Sequence, residues 1–158
     1  MSLRIGDQAP DFSLYSSDKE LIHLHDYKGK NVVLLFFPLA FTSTCTKELC
    51  STRDDIAIYN GMDTEVLGIS VDSPQSLNRY KAEQQLNFKL LSDFNKEAIR
   101  AYDVIYEQFS LNMRGVAKRA VFVIDAEGII RYIEVLEIAG NLPDLLAVQN
   151  AVRQLQMA

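Results

Sequence analysis

"NVVLLFFPLAFTSTCTKELC", residues 31–50, sets both the architecture and the chemistry of this chain. Its first part, "NVVLLFF" (31–37), is an unbroken β-branched and aromatic run bounded by Gly29 and Pro38. That is the pattern of a strand covered on both faces. Thr42 or Ser43 then supplies an N-cap, and the spacing predicts a helix over 43–60 stopped by Gly61. A buried strand running directly into a helix is the repeating step of an α/β sheet.

The same alternation continues on both sides. Upstream, "FSLYSS" (12–17) and "ELIHLHDY" (20–27) read as two short strands joined near Asp18. Downstream, "TEVLGISVD" (64–72) and "FKLLSD" (88–93) are further strands, and "AVFVIDAEGIIRYIEVLE" (120–137) is a hairpin turning at "AEG". Helices are expected over 74–86, with Ser73 as N-cap and Pro74 in the first helical position, and over 95–102. A last helix over 143–156 shows an apolar face of Leu145, Leu146, Val148, Val152 and Leu155. The expected class is α/β, one domain over 1–158, with an antiparallel edge to the sheet. Ligand chemistry in such folds gathers beyond the C-terminal ends of the parallel strands, where Cys45 falls.

Composition excludes several other function classes. The 158 residues are 48% hydrophobic and 23% charged, with net charge −5 and no Lys/Arg block to meet nucleic acid or an anionic membrane. The longest apolar run, Val32 to Phe41, is interrupted by Pro38 and falls short of the ~20 residues a spanning helix needs. The N-terminal "MSLRIGDQAPDF" lacks the basic and apolar regions of a secretory signal, so a cytoplasmic location is expected. Two cysteines are too few for a disulfide scaffold, and with no histidine nearby they make a poor zinc site. No Gly-x-Gly loop is present to cradle a phosphate.

Cys45 would lie in the first turn of its helix, where free N–H groups and the positive dipole end point outward. An ordinary thiol is only about 3% thiolate at pH 7, and a helix N-terminus with a nearby cation lowers its pKa by roughly two units or more. The alternative is a buried structural cysteine. Cys50 follows five residues later. On a regular helix that spacing separates the Cα atoms by roughly 8–9 Å, beyond the ~7 Å reach of a disulfide. The two sulfurs therefore join only if the first turns unwind. The Thr- and Ser-rich segment around them favours unwinding, being made of poor interior helix formers. Cys50 facing the core is the plainer reading. Cys-x4-Cys also differs from the Cys-x-x-Cys of dithiol reductases, which disfavours disulfide exchange as the main activity.

"PLAFTSTC" (38–45) resembles the Pro-x-x-x-Thr-x-x-Cys motif of peroxiredoxins. The resemblance extends over "GDQAPDFSL" (6–14), "GISVDS" (68–73), "LLSDFNKEAIRAYDV" (90–104) and "RAVFVIDAEGIIRYI" (119–133). It is nearest to the alkyl hydroperoxide reductase E-like and bacterioferritin-comigratory-protein-like branch. The resemblance implies a thioredoxin-like fold, a central mixed β-sheet flanked by helices with an N-terminal β-hairpin extension. It matches Cys45 to the peroxidatic cysteine, Thr42 to the hydroxyl contacting thiolate and peroxide, and Pro38 to the residue shielding the pocket. Arg119 matches the arginine stabilising both thiolate and peroxide, Glu48 an acidic or amide position near the substrate, and Cys50 the resolving cysteine. Taken alone, Arg119 reads as a surface cation opening a strand, and Glu48 as a solvated helix charge.

The implied activity is reduction of hydrogen peroxide and organic hydroperoxides through a Cys45 sulfenic acid, resolved by Cys50 and recycled by thioredoxin or a similar dithiol, with no metal or organic cofactor. A homodimer is the leaning for the assembly. Two rivals use the same residues: a redox sensor that does not turn over, and a thiolate metal module. His23 and His25 alternate on an expected strand and read as exposed strand residues. Tyr102, Tyr106 and Phe109 read as a core edge or a dimer contact.

Overall fold

Alternation along one central strand, β3 (Asn31–Phe36), determines the layering. Val32, Leu34 and Phe36 point into one apolar layer, and Val33 and Leu35, followed by Phe37, into the other; all are essentially buried. Each such side chain contributes about 1.5–3 kcal/mol on burial, so this one segment anchors both cores. The computed structural model describes residues 2–157.

Parallel neighbours follow in chain order. β3 pairs with β4 (Thr64–Ser70), and β4 with β5 (Lys89–Ser92). β1 (Ser13–Ser16) and β2 (Leu21–His23) form the expected N-terminal hairpin, added antiparallel to β5. On the other side, β8 (Ala120–Ile124) runs antiparallel to β3, and β9 (Ile130–Val135) closes the seven-stranded sheet. One face is covered by α1 (Ser43–Asp54), α2 (Ile56–Gly61), α3 (Pro74–Gln84) and α5 (Leu145–Gln156), which contribute Leu49, Tyr59, Leu77, Tyr80, Val148 and Val152. The other is covered by α4 (Glu97–Ala101) and its flanks, through Ala98, Ile99, Tyr102 and Val104. This is a central mixed sheet flanked by helices, the thioredoxin-like arrangement.

Several elements differ from expectation. The helix expected over 43–60 is two, because Asp55 leaves helical geometry at φ −101, ψ 9, with its carboxylate taken by Gln149 of α5. The strand expected over 20–27 stops at His23, and Leu24–Tyr27 form a 3-10 turn. His23 and His25 thus do not alternate on a strand, although their rings stack with centroids 4.9 Å apart and His25 bonds Asp11. A small hairpin, β6 (Ile105–Tyr106) with β7 (Val116–Ala117), is too short to show periodicity. Leu146 of α5 is 64% exposed rather than part of the apolar face. The Ser73 cap is as expected, its side chain accepting from Ser76 N, whereas the last helix begins two residues later than expected, at Leu145, with Asp144 as its cap accepting from Ala147 N.

Candidate active site

The loop between β3 and α1 leaves the sheet beyond the C-terminal ends of the parallel strands. It is held from below, since Ala40 N donates to Asp72 Oδ2 at 2.8 Å and Ser70 Oγ donates to the same oxygen at 2.6 Å. Pro38 is buried at its start, and Phe41 sits in the left-handed region at φ 67 with its ring against Tyr80. A bulky residue rarely takes that conformation, so the turn into α1 carries local strain. Thr42 is the N-cap by backbone geometry, but its hydroxyl caps nothing. It donates instead to Leu39 O at 2.7 Å.

Cys45 is the third residue of α1. Together with Glu48 and Leu49 it forms the inward stripe that i, i+3, i+4 spacing places on one helix face. Arg119 stands directly before β8. Because β8 is antiparallel to β3, with Ala120 opposite Phe36, the chain brings Arg119 to the same sheet end as α1. Its Nη1 donates to Cys45 Sγ at 3.3 Å and to Glu48 Oε1 at 2.9 Å, and its Nε donates to Ala139 O at 3.0 Å. Arg119 is 2% exposed, and Cys45 and Glu48 are both 0% exposed. Neither the surface cation nor the solvated helix charge of the bare sequence reading survives this placement. A guanidinium out of water needs acceptors to offset its desolvation, and these three supply them.

Burial pushes the Glu48 carboxyl up to about 7; Arg119 opposes that rise and Glu134 adds to it. Burial works against the charge on Arg119, but Cys45 and Glu48 outweigh it and hold the guanidinium above its ordinary value. Glu48 Oε2 is buried without a hydrogen-bond partner. Tyr80 of α3 closes the far side, sharing a hydrogen bond with Thr46 at 2.8 Å. Burial raises its phenol to about 12, so it stays neutral.

A cleft of about 520 Å³ opens beside this cluster, lined by Thr42, Ser43, Tyr106, Phe109, Met113 and Arg119 among others. Among the described residues no hydrogen bond occupies Arg119 Nη2, and Arg119 is one of the residues lining the cleft. Cys45 is wholly buried and does not line the cleft, whereas the three residues before it, 42–44, do. Tyr106 and Phe109 stack at 5.9 Å and form the opposite wall, whereas Tyr102 belongs to the core.

The sequence candidates therefore separate into two groups. Cys45, Arg119 and Glu48 meet directly, and Thr42 and Pro38 flank them on one loop. Cys50 is elsewhere. It is half-buried on the third turn of α1, its Sγ donating to Gln84 Oε1 at 3.6 Å. Both cysteines are free and α1 is continuous between them. Tyr80, Thr46 and Gln84 were not singled out from sequence. The Tyr80 position on an amphipathic helix signals core packing, and nothing local marks its hydroxyl or the Gln84 amide.

Residues 5–133 match the model of the AhpC/TSA family. This chain belongs to that family. It is a peroxiredoxin, and hence a thiol-dependent peroxide-reducing oxidoreductase. It is 41% identical over 135 residues to alkyl hydroperoxide reductase E of Mycobacterium bovis, covering 84% of this chain and 85% of that one. Among solved structures, the peroxiredoxin-like protein from Aquifex aeolicus superposes with a TM-score of 0.88 at 26% identity, over 98% of this chain and 89% of the other. The Xanthomonas campestris bacterioferritin comigratory protein, described for its alkyl peroxide reduction activity, superposes with a TM-score of 0.81 at 25% identity, over 92% of each chain. In this peroxiredoxin, no helix among the described residues is long and apolar enough to cross a membrane.

Proposed function

We propose that Cys45 is the peroxidatic thiol and Cys50 the resolving one. The observation that carries the proposal is the hydrogen bond from Arg119 Nη1 to Cys45 Sγ, at the first turn of a helix. A guanidinium and free helix N–H groups both favour sulfur as the anion, the nucleophilic form.

The Cys45 thiolate attacks the terminal oxygen of a hydroperoxide, and the O–O bond breaks. Sulfur is oxidised to sulfenic acid, and the other oxygen leaves with the electron pair and takes up a proton, as water or an alcohol. Charge moves from sulfur to the departing oxygen, so fixed donors along that line lower the barrier. Arg119 on the cleft wall is one, and the Thr42 hydroxyl becomes another by turning from Leu39. Pro38 keeps water from the underside of the loop. Glu48, wholly buried, acts through Arg119 rather than on the substrate.

Cys45 has no exposed surface, so attack requires a local movement that lets the peroxide reach its sulfur. Local unwinding then brings the sulfenic acid to Cys50. The Cys50 thiol attacks it, water leaves, and a disulfide forms. An external dithiol such as thioredoxin reduces that disulfide and restores both thiols. Steady-state consumption of hydrogen peroxide and cumene hydroperoxide, coupled to thioredoxin and its reductase, tests this reading. Sustained turnover lost in Cys45→Ser is expected. Oxidation that stops after one equivalent would favour a sensor instead.

A further inference from the structure

Inside the site one positive charge faces two acidic groups. Arg119 Nη1 is shared between Cys45 Sγ and Glu48 Oε1, and neither acid has any exposed surface. Two anions against one guanidinium would leave an unbalanced negative charge out of water, which burial penalises heavily. Glu48 Oε2 lies buried with no partner at all. An unpartnered oxygen costs far less on a neutral carboxyl than on a carboxylate. The surroundings add no second cation. Arg119 makes the one ion pair of Glu48 among the described residues, Glu134 on β9 is itself acidic, and Tyr80 on α3 is neutral.

We propose that Cys45 and Glu48 hold a single proton between them, so that the thiol ionises only as the carboxyl becomes protonated. The proposal rests on Cys45 being the peroxide-reacting thiol. It makes Glu48 the residue that holds the thiol's proton beside Arg119 without touching the substrate. On activation, Cys45–SH and Glu48–COO⁻ become Cys45–S⁻ and Glu48–COOH, and the charge beside Arg119 does not change. Attack then oxidises the sulfur to a neutral sulfenic acid and reduces the peroxide to an alkoxide. With the sulfur neutral, Glu48 releases its proton and becomes the anion paired with Arg119. In net balance, the proton that began on the thiol ends on the alcohol. Burial, by lifting Glu48 to about 7, lets its carboxyl hold a proton near neutral pH.

Infrared difference spectra read the proton directly. The reduced protein at pH 7 is expected to show a protonated-carboxyl C=O band that is absent from Glu48→Gln. That band should disappear in Cys45→Ser, where Glu48 alone balances Arg119, and also when the wild type receives one equivalent of hydrogen peroxide. The peroxide arm needs no variant, so it decides the matter even if Cys45→Ser folds poorly. Intact mass recorded on the same samples separates the two layers. A wild type that oxidises rapidly at Cys45 with an unchanged Glu48 band, or with no such band in the reduced state, overturns the shared proton alone. A wild type that takes up no oxygen at Cys45 overturns the functional reading beneath it.

Discussion

Cys45 and Cys50 ride one helix five residues apart, yet their surroundings have almost nothing in common. Cys45 is sealed at the helix start against a buried guanidinium and a buried carboxyl. Cys50 is half-buried about one and a half turns later, its sulfur touching the neutral amide of Gln84. The backbone around them differs as well. Before Cys45 lie the left-handed Phe41 and an N-cap whose side chain makes no cap bond. Beyond Cys50 the helix is clamped to the end of α3, because Arg53 Nη1 donates to Gln84 O at 2.6 Å and Asn87 Nδ2 donates to Arg53 O at 3.3 Å. The contrast assigns two roles to chemically identical side chains. In the proposed function, charge marks the thiol that meets peroxide, and the clamp marks the fixed end toward which the other must travel.

The largest effect should come from Cys45→Ser. Removing the nucleophile is expected to lower the rate of peroxide reduction by roughly 10³-fold or more in stopped-flow assays. A rate within about tenfold of the parent, the span of a 1.4 kcal/mol effect, would mean that the guanidinium does not mark the reactive thiol.

Arg119→Ala removes the charge but keeps both cysteines. The first oxidation step is expected to slow by about 10²–10³, the usual cost of losing one transition-state donor. The melting temperature should also fall, because Glu48 Oε1 and Ala139 O lose their donor. An unchanged rate would dissolve the contrast between the two sulfurs.

Glu48 sharpens the contrast through pH. Burial pushes its carboxyl up to about 7 in the folded chain, against 4.5 once unfolding exposes it to water, so between these values the folded state binds more protons. Its contribution to stability is complete below pH 4.5 and is lost as pH rises through 7; the whole swing is of order ~3 kcal/mol. Glu48→Gln lacks that swing. Its stability relative to the parent, from urea denaturation in reductant, is expected to improve steadily from pH 5 to pH 8. Parallel profiles would show that Glu48 is an ordinary carboxylate.

Cys50→Ser should have the smallest effect on the first step. The rate of initial oxidation is expected to stay the same, while sulfenic and then sulfinic acid accumulate in intact-mass spectra because no thiol removes them. Slower initial oxidation would place Cys50 in the site of Cys45.

Much of this was legible in residues 31–50. The unbroken apolar run requires a strand covered twice, and Thr42 with Ser43 requires a helix start, so Cys45 follows as a first-turn residue. The antiparallel return of β8 was enough to bring Arg119 to the right sheet end. Its depth was not legible. A cation opening a strand looks solvated until Glu48, Cys45 and the Ala139 carbonyl converge on it from three separate segments. Glu48 could be suspected from its i+3 spacing to Cys45, but its pairing in the interior depends on Arg119, 71 residues further along the chain. The split at Asp55 was hidden for a similar reason, since the side chain that captures its carboxylate is Gln149, far along the chain.

The most direct test mixes the reduced protein with substoichiometric hydrogen peroxide, quenches at millisecond intervals, and resolves the mass of each cysteine-containing peptide. One added oxygen should appear first on Cys45, followed by its loss as a Cys45–Cys50 link forms. Oxygen arriving first on Cys50, or reaching Cys45 no faster than it reaches a free thiol in solution, would contradict the account.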